Sequence, residues 1–194
     1  MDTRIDTVVV GGGQAGLALG YHLRRAGRRF TIVEASDRLE DSWRRRRDSL
    51  TLFTPRRDDA LPGLAVPGPS RGFPGKDEVA DYLQAYARRF RLPVEPGSPV
   101  VSVRRDLSDG FAIETGRLEL GARQVVVATG STPAVPRFAA RLDPRVPQLH
   151  SDAYRNPASV PAERVAVVGG APRSTPPRPG FERGGARTPV GCGR

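Results

Sequence analysis

The chain has 194 residues, of which 38% are hydrophobic, and a formal net charge of +10 in which Lys76 is the only lysine. The single cysteine, Cys192, excludes a disulfide framework and a CxxC redox pair, and two histidines give no metal-site spacing. No apolar run approaches the roughly 18 residues of a membrane span, and no nucleic-acid recognition module accompanies the charge. We therefore expect a protein without membrane or nucleic-acid partners, and the low cysteine content predicts a cytoplasmic location.

The N-terminal segment has the pattern of a strand, a glycine turn, a helix and a second strand. Residues 5–10 are rich in β-branched side chains, residues 14–27 carry helix formers that end at a glycine, and residues 29–34 form a second apolar run. This order within about 30 residues predicts a βαβ unit, the usual opening of a nucleotide-binding sheet.

The turn from Gly11 to Gly16 satisfies the G-x-G-x-x-G pattern. Gly11 allows a tight turn, Gly13 lets a pyrophosphate approach the backbone, and Gly16 lets the helix pack closely on the sheet. Glu34 ends the second strand, where a carboxylate can accept hydrogen bonds from both hydroxyls of an adenosine ribose. An acid at this position argues against a ribose 2′-phosphate, so the sequence favours FAD or NAD over NADP as the ligand of this site. The alternative is a glycine turn with a surface glutamate.

The remaining elements are less regular. Residues 36–75 are polar and rich in arginine and proline, which predicts a long excursion that carries binding contacts. Helical spacing over 76–90 places Tyr82, Tyr86 and Phe90 on a face that packs in the core. Strands are predicted over 92–95, 99–104, 111–115, 117–120, 124–128 and 164–168, with a hairpin around Gly116.

Several short motifs follow one another in a characteristic order. They are Val-Val-Gly-Gly-Gly-Gln-Ala-Gly at 9–16, Ile-Val-Glu-Ala at 32–35, Ser-Trp-Arg at 42–44, Lys-Asp-Glu-Val at 76–79, Ala-Thr-Gly at 128–130, and His150-Ser151 with Tyr154. In this order the chain resembles the flavin-containing monooxygenases in the broad sense, the group that includes YUCCA-like and Baeyer–Villiger-like flavoproteins. The resemblance extends from Asp6 to Gly170.

The resemblance implies a set of FAD contacts and no catalytic side chain or metal, because the flavin carries the chemistry in such enzymes. It assigns the diphosphate to Gly11, Gly13, Gln14, Ala15 and Gly16, the ribose to Glu34 with Ala35 beside it, the length of the cofactor to Ser42 and Trp43, the adenine to the backbone of Val101, and the closing contacts to Ala128, Thr129 and Gly130.

One part of the chain departs from the family pattern. Glu40 and Asp41 stand where the family usually has two glycines before Ser-Trp, and four arginines follow at 44–47. Two interpretations stay open for the arginines. They offset the acids or bind phosphate, or they form a solvated charged loop.

The expected fold is α/β, an FAD-binding Rossmann-like three-layer domain with a β-rich excursion. We expect this domain to span residues 1–150, with the excursion over 36–75, followed by a linker and the first strand of a truncated NAD(P)-binding domain over 151–170. Of residues 171–194, fifteen are Gly, Pro or Arg, which predicts disorder. A reading-frame slip or other truncation after residue 170 and a genuine disordered tail both fit the sequence.

The resemblance implies an FAD-dependent NAD(P)H oxidoreductase of the monooxygenase type. In an intact relative NADPH reduces the flavin, which then forms a C4a-hydroperoxide with O2 and oxygenates a small-molecule substrate. Because the helix of a second glycine motif is missing after residue 170, we expect weak or no turnover from this chain alone. The alternatives are a non-catalytic FAD-binding module or an inactive fragment that needs a separately encoded second half. A basic nucleic-acid binder is the third, less favoured interpretation.

Overall fold

The computed structural model describes residues 5–106, 110–131, 133–160 and 165–168. The chain forms two compact units, Met1–Ala134 and Val135–Arg194. The elements of the first unit are, in chain order, β1 (Ile5–Val10), α1 (Gln14–Arg25), β2 (Phe30–Val33), α2 (Asp41–Arg44), α3 (Lys76–Arg89), β3 (Val94–Glu95), β4 (Val100–Asp106), β5 (Gly110–Thr115) and β6 (Glu119–Val127). The predicted βαβ opening and α/β class are confirmed.

These strands form one six-stranded sheet in the order β3-β2-β1-β6-β5-β4. Strands β3, β2, β1 and β6 run parallel, whereas β5 pairs antiparallel with both β6 and β4. Parallel strands end at the same edge of a sheet, so the loops that follow β1, β2 and β6 come together there. That edge carries the glycine turn, Glu34 and Thr129.

The two faces of the parallel strands are covered by different layers. On one face, Val9 and Ile32 pack with Leu17 of α1 and with Leu83 of α3. On the other face, their sequence neighbours Val8 and Val33 cluster with Ile113 of β5 and Ala122 of β6. Alternate side chains of a strand point to opposite faces, so the helices cover one face of the parallel strands, and side chains of β5 and β6 pack on the other. Each fully buried aliphatic side chain stabilises this arrangement by about 1.5–3 kcal/mol.

The excursion over residues 36–75 contains helix α2 and two isolated bridges, Thr51 with Gly75 and Leu61 with Leu64. The β-rich part of the unit is therefore the antiparallel β4–β6 rather than this excursion. A segment rich in proline and arginine cannot form long ladders, because proline lacks the N–H that a ladder requires.

Tyrosines of α3 hold the excursion in place. The Tyr82 hydroxyl accepts a hydrogen bond from the Leu61 N–H at 2.7 Å and donates one to the Leu64 carbonyl at 2.7 Å. The Tyr86 hydroxyl donates to the Pro62 carbonyl at 2.7 Å. Both tyrosine side chains are buried, as the helical spacing predicts.

Two strand predictions need correction. Most of the runs 117–120 and 124–128 belongs to one strand, β6 (Glu119–Val127), which pairs first with β5 and then with β1. Residues 165–168 of the run predicted over 164–168 are not a strand, and Val167 and Val168 are each 72% exposed. A buried parallel strand needs neighbours to bond its backbone, and the described residues supply none to this run. The predicted disorder of 171–194 lies outside the described residues.

The second unit contains short turns of 3-10 helix at Arg137–Arg141 and Pro157–Ser159. The side-chain amide of Gln148 donates to the Ala139 carbonyl at 3.0 Å and closes the segment between them. Nowhere in the described ranges is a helix long and apolar enough to cross a membrane. The same ranges contain no cluster of three or more His, Cys, Asp or Glu side chains that could hold a metal ion.

Candidate dinucleotide-binding site

The glycine turn packs closely against the backbone at the end of β6. Gly11 has a φ of +109°, and a Cβ atom at this position would lie 2.4 Å from the Ala128 carbonyl oxygen. A Cβ atom at Gly16 would lie 2.0 Å from the Gly11 carbonyl oxygen. The Ala128 N–H donates to the Val10 carbonyl at 2.7 Å, which fixes the two chain segments side by side. Only glycine fits at 11 and 16, because backbone atoms occupy the space of any side chain.

Helix α1 begins at this turn without a cap. Gly13 is the N-cap residue, no side chain bonds to the first turn, and the first turn contains no acidic residue. Apart from Gly13 and its two chain neighbours, no described residue has an atom within 4 Å of the position that a Cβ at Gly13 would occupy, and Gln14 and Ala15 are exposed. Free N–H groups and the helix dipole together attract an anion to such a position.

Glu34 lies beside the turn and is held by two backbone donors. Its Oε2 accepts a hydrogen bond from the Gly12 N–H at 2.7 Å, and its Oε1 accepts one from the Ser36 N–H at 2.9 Å. The carboxylate is partly buried, whereas Ala35 is exposed. Sequence reasoning selected neither Gly12 nor Ser36. Gly12 occupies the unspecified position of the G-x-G pattern, and no sequence signal identifies Ser36.

Thr129 and Gly130 lie at the same sheet edge, directly after Ala128. Both are exposed, and Gly130 has a φ of +74° with open space around it. The segments that follow the parallel strands β1 and β6 thus lie together at the N-terminal end of α1. The structure brings together the predicted residues of the glycine turn, Glu34 and the segment 128–130.

Val101 lies at a β-bulge in the outermost strand. Val100 pairs with Thr115 and Ser102 pairs with Glu114, so the bulge leaves Val101 without a cross-strand partner. The side chain is 67% exposed. The segment leading into β4 passes Glu34, because the Ser98 N–H donates to the Glu34 carbonyl at 2.8 Å.

Ser42 and Trp43 lie on a separate element, α2. Ser42 is exposed, and Trp43 packs partly against the hydrophobic core with the Arg46 guanidinium 5.1 Å from its ring centroid. Within the described part of the chain, no hydrogen bond connects either residue to the glycine turn. The structure therefore does not join them directly to the other predicted site residues.

The two acids that depart from the family pattern are neutralised by nearby arginines. Glu40 is 3% exposed and Asp41 is 5% exposed. Arg44 Nε lies 3.8 Å from Glu40 Oε1, and Arg45 Nη2 lies 3.1 Å from Asp41 Oδ2. Arg38 contributes a further contact to Asp41 at 3.1 Å. The offset of the acids by arginines, one of the interpretations left open, is thus found for Arg44 and Arg45, each of which lies four residues after its acid.

The fold and the site define a class of protein. A glycine turn that enters an uncapped helix, with an acid after the next parallel strand, is the arrangement of Rossmann-type dinucleotide-binding proteins. Residues 8–174 match the family of pyridine nucleotide-disulphide oxidoreductases, and the chain belongs to that family.

The similar proteins have the names of oxidoreductases and monooxygenases. The chain is 43% identical over 167 residues to an uncharacterized oxidoreductase, CzcO-like, of Geobacillus kaustophilus (strain HTA426), covering 85% of this chain and 48% of the relative. It is 33% identical over 168 residues to indole-3-pyruvate monooxygenase YUCCA1 of Oryza sativa subsp. japonica, covering 84% and 41%. The solved structure of a flavin-containing monooxygenase from Stenotrophomonas maltophilia superposes with a TM-score of 0.78 at 33% identity, covering 86% and 51%.

Two facts follow from these similarities. The resemblance to flavin-containing monooxygenases is confirmed, and one solved structure of similar fold, that of OTEMO, is a complex with FAD and NADP. The chain spans about half the length of the curated relatives it matches.

Proposed function

We propose that this chain binds FAD and forms the FAD-binding part of an FAD-dependent NAD(P)H oxidoreductase of the monooxygenase type. The observation that carries the proposal is the uncapped start of α1 with open space at Gly13, next to the anchored carboxylate of Glu34. An anion and a ribose are the two groups that such a pair of features suits.

The residues present fit this cofactor. The N–H groups of Gln14 and Ala15 at the start of α1 would bind the diphosphate, with Gly11, Gly13 and Gly16 giving it room. Each Glu34 oxygen accepts one backbone bond and keeps a lone pair for a ribose hydroxyl. The other proposed contacts are the unpaired backbone of Val101 for the adenine, Ala35, Ser42 and Trp43 along the cofactor, and Ala128, Thr129 and Gly130 over the diphosphate.

Bound FAD would supply the redox chemistry, with NADPH as the reductant and a small molecule as the substrate. The residues of this chain bind and orient the cofactor, and none of them is proposed as an acid or base. Because the chain spans about half the length of its relatives, we propose that these 194 residues alone turn over weakly. That coverage also favours the second candidate function, a non-catalytic FAD-binding module. The proposed location is cytoplasmic.

The first test compares two helix-capping glycines of the same conformation. Gly13 has φ −72° and ψ −171°, Gly75 has φ −79° and ψ 167°, and neither is crowded. Alanine at either N-cap costs a similar, small amount of stability. Gly13→Ala places a methyl group in the path of the diphosphate, so we expect FAD affinity to fall at least about tenfold, or roughly 1.4 kcal/mol. Gly75→Ala should bind FAD like the unchanged chain.

Visible absorbance after incubation with FAD and desalting gives the measurement. A retained, protein-perturbed flavin spectrum that Gly13→Ala loses and Gly75→Ala keeps is the expected result. Equal retention in both variants, or no retention by the folded unchanged chain, would refute FAD binding at this site. Anaerobic addition of NADPH then separates the two candidate functions, since only an oxidoreductase allows NADPH to bleach the bound flavin.

A further inference from the structure

A second concave site lies at the C-terminal end of α3. It is a groove of about 330 Å³ whose floor includes Leu39, Ala87, Leu92 and Val94 and whose rim includes Arg88 and Arg91. None of the predicted FAD contacts lines it. The volume is at the lower end of the range for small-molecule pockets, roughly 300–1,000 Å³.

The backbone at Arg91 is unusual. Its φ is +49°, and no other non-glycine residue in the described ranges has a positive φ. Here α3 ends in a Schellman motif, in which the Leu92 N–H donates to the Ala87 carbonyl at 3.0 Å and the Arg91 N–H donates to the Arg88 carbonyl at 3.1 Å. The left-handed position of this motif normally carries glycine, because the Cβ atom of any other residue is sterically disfavoured there.

Helix α1 provides a comparison within the same chain. It ends with the same two hydrogen bonds, from the Arg28 N–H to the Leu23 carbonyl at 3.0 Å and from the Gly27 N–H to the Arg24 carbonyl at 3.1 Å. Its left-handed residue, Gly27, is the glycine that the geometry favours, with a φ of +64°. Arginine at the corresponding place in α3 thus adds strain that the turn itself does not require, and such strain often accompanies function.

Within the described ranges, the two rim arginines also have no side-chain partners. Neither the Arg88 nor the Arg91 guanidinium makes a hydrogen bond or ion pair with any residue in the described part of the chain. By contrast, Arg44 and Arg56 each contact a carboxylate at 2.6 Å. The groove thus combines an apolar floor with two cations that are free to bind an anion.

We propose that this groove binds a small amphipathic anion. Its apolar body would lie on Leu39, Leu92 and Val94, and its carboxylate, sulfonate or phosphate would bind Arg88 and Arg91. A guanidinium presents two parallel N–H donors that match the oxygens of such a group. An arginine at this left-handed position then has a role, since Arg91 lines the groove. The proposal is independent of FAD binding.

The test uses Arg91→Gly with a charged probe and its neutral counterpart. The charged probe is 8-anilinonaphthalene-1-sulfonate, and N-phenyl-1-naphthylamine is the same body without the sulfonate. We expect Arg91→Gly to weaken binding of the sulfonate at least tenfold and to leave binding of the neutral amine unchanged. The melting temperature should stay the same or rise, because glycine removes the strain.

Two further measurements make the outcome decisive. Arg88→Gln should also weaken sulfonate binding, whereas Arg89→Gln, on the same helix but outside the groove, should not. Amide chemical shifts locate the probe, and we expect the changes at Leu92 and Val94. Unchanged sulfonate affinity in Arg91→Gly, an equal loss for the neutral amine, or shift changes confined to residues 11–16 would each overturn the proposal.

Discussion

Glu34 shows how one side chain serves both the fold and the proposed ligand. Its two oxygens accept hydrogen bonds from Gly12 and Ser36, which sets the orientation of the carboxylate before any ligand arrives. A pre-oriented acceptor loses little entropy on binding, so its hydrogen bonds to a ribose contribute more of their strength to affinity.

Replacing this carboxylate should weaken FAD binding. In Glu34→Gln the side-chain NH2 would face a backbone donor, either Gly12 or Ser36, so one anchoring bond is lost and one ribose acceptor disappears. A hydrogen bond to a charged group contributes about 1.5–3 kcal/mol, so we expect at least about a tenfold fall in FAD affinity. Fluorescence titration with FAD measures it, and the exposed Glu95→Gln is the control. Equal affinities in both variants would contradict the role of Glu34.

Sequence reasoning at this scale succeeds where the cause is local. The special positions of Gly11 and Gly16 could be predicted because the turn between a strand and a helix has a fixed shape. The contact of Gly11 with the Ala128 carbonyl could not, because it depends on β6 pairing with β1. The position of the Leu39 side chain, which fills the space beside Gly12, could not be predicted either.

Helix α3 is the element that organises the excursion. Burial raises the pKa of both Tyr82 and Tyr86, while their hydroxyls bind the backbone of residues 61–64. The helical period predicted that these rings are buried, but it could not predict what their hydroxyls bind. The excursion has no period of its own, so its path follows from tertiary contacts.

Removing one of these hydroxyls should destabilise the protein measurably. Tyr86→Phe loses the bond to the Pro62 carbonyl and leaves that acceptor unpaired, so we expect the free energy of unfolding to fall by about 1–3 kcal/mol. Tyr21→Phe is the matched control, because its hydroxyl makes only a 3.4 Å contact with Arg25 at the surface. Urea unfolding followed by circular dichroism distinguishes them, and equal midpoints would show that the anchor contributes nothing.

The N-terminal end of α3 should give stability a pH dependence. The Gly75 N–H first, and then Arg56, hold the pKa of the Glu78 carboxyl below its ordinary value of 4.5. A carboxyl with a lowered pKa in the folded state stabilises it above pH 4.5, and this contribution disappears as the pH falls through the folded-state pKa. Glu78→Gln should therefore be less stable than the unchanged chain at pH 7 and differ less from it at pH 3. Thermal melts at both pH values check this, and a constant difference would contradict it.

At the scale of the whole molecule, the two units differ in how their backbones are held. The first unit has a six-stranded sheet with buried faces, whereas the described residues of the second contain 3-10 turns and mostly exposed side chains. Sequence reasoning extended regular structure to 164–168 because four of these residues are apolar or small, but a short apolar run becomes a strand only beside a partner.

Limited proteolysis should reflect this difference. Among the described arginines, we expect trypsin to cut first after Arg137, Arg141 or Arg145, because few backbone hydrogen bonds oppose local opening there. Arg57 and Arg71, in the excursion held by α3, should be cut later. Mass spectrometry of early digests identifies the order. A first cut at Arg57 or Arg71 would show that the excursion opens more readily than the second unit.

The contact between Gly11 and the Ala128 carbonyl also bears on the order of events during synthesis. The glycine turn leaves the ribosome early, but the segment that presses against it is made only after β6. Pairing of β1 with β6 must close this long stretch of chain, which is a slow step in folding. A nascent chain that has only the glycine motif therefore lacks the finished cradle, and we expect the proposed cofactor to bind late, once residue 128 has been added and β6 has joined the sheet.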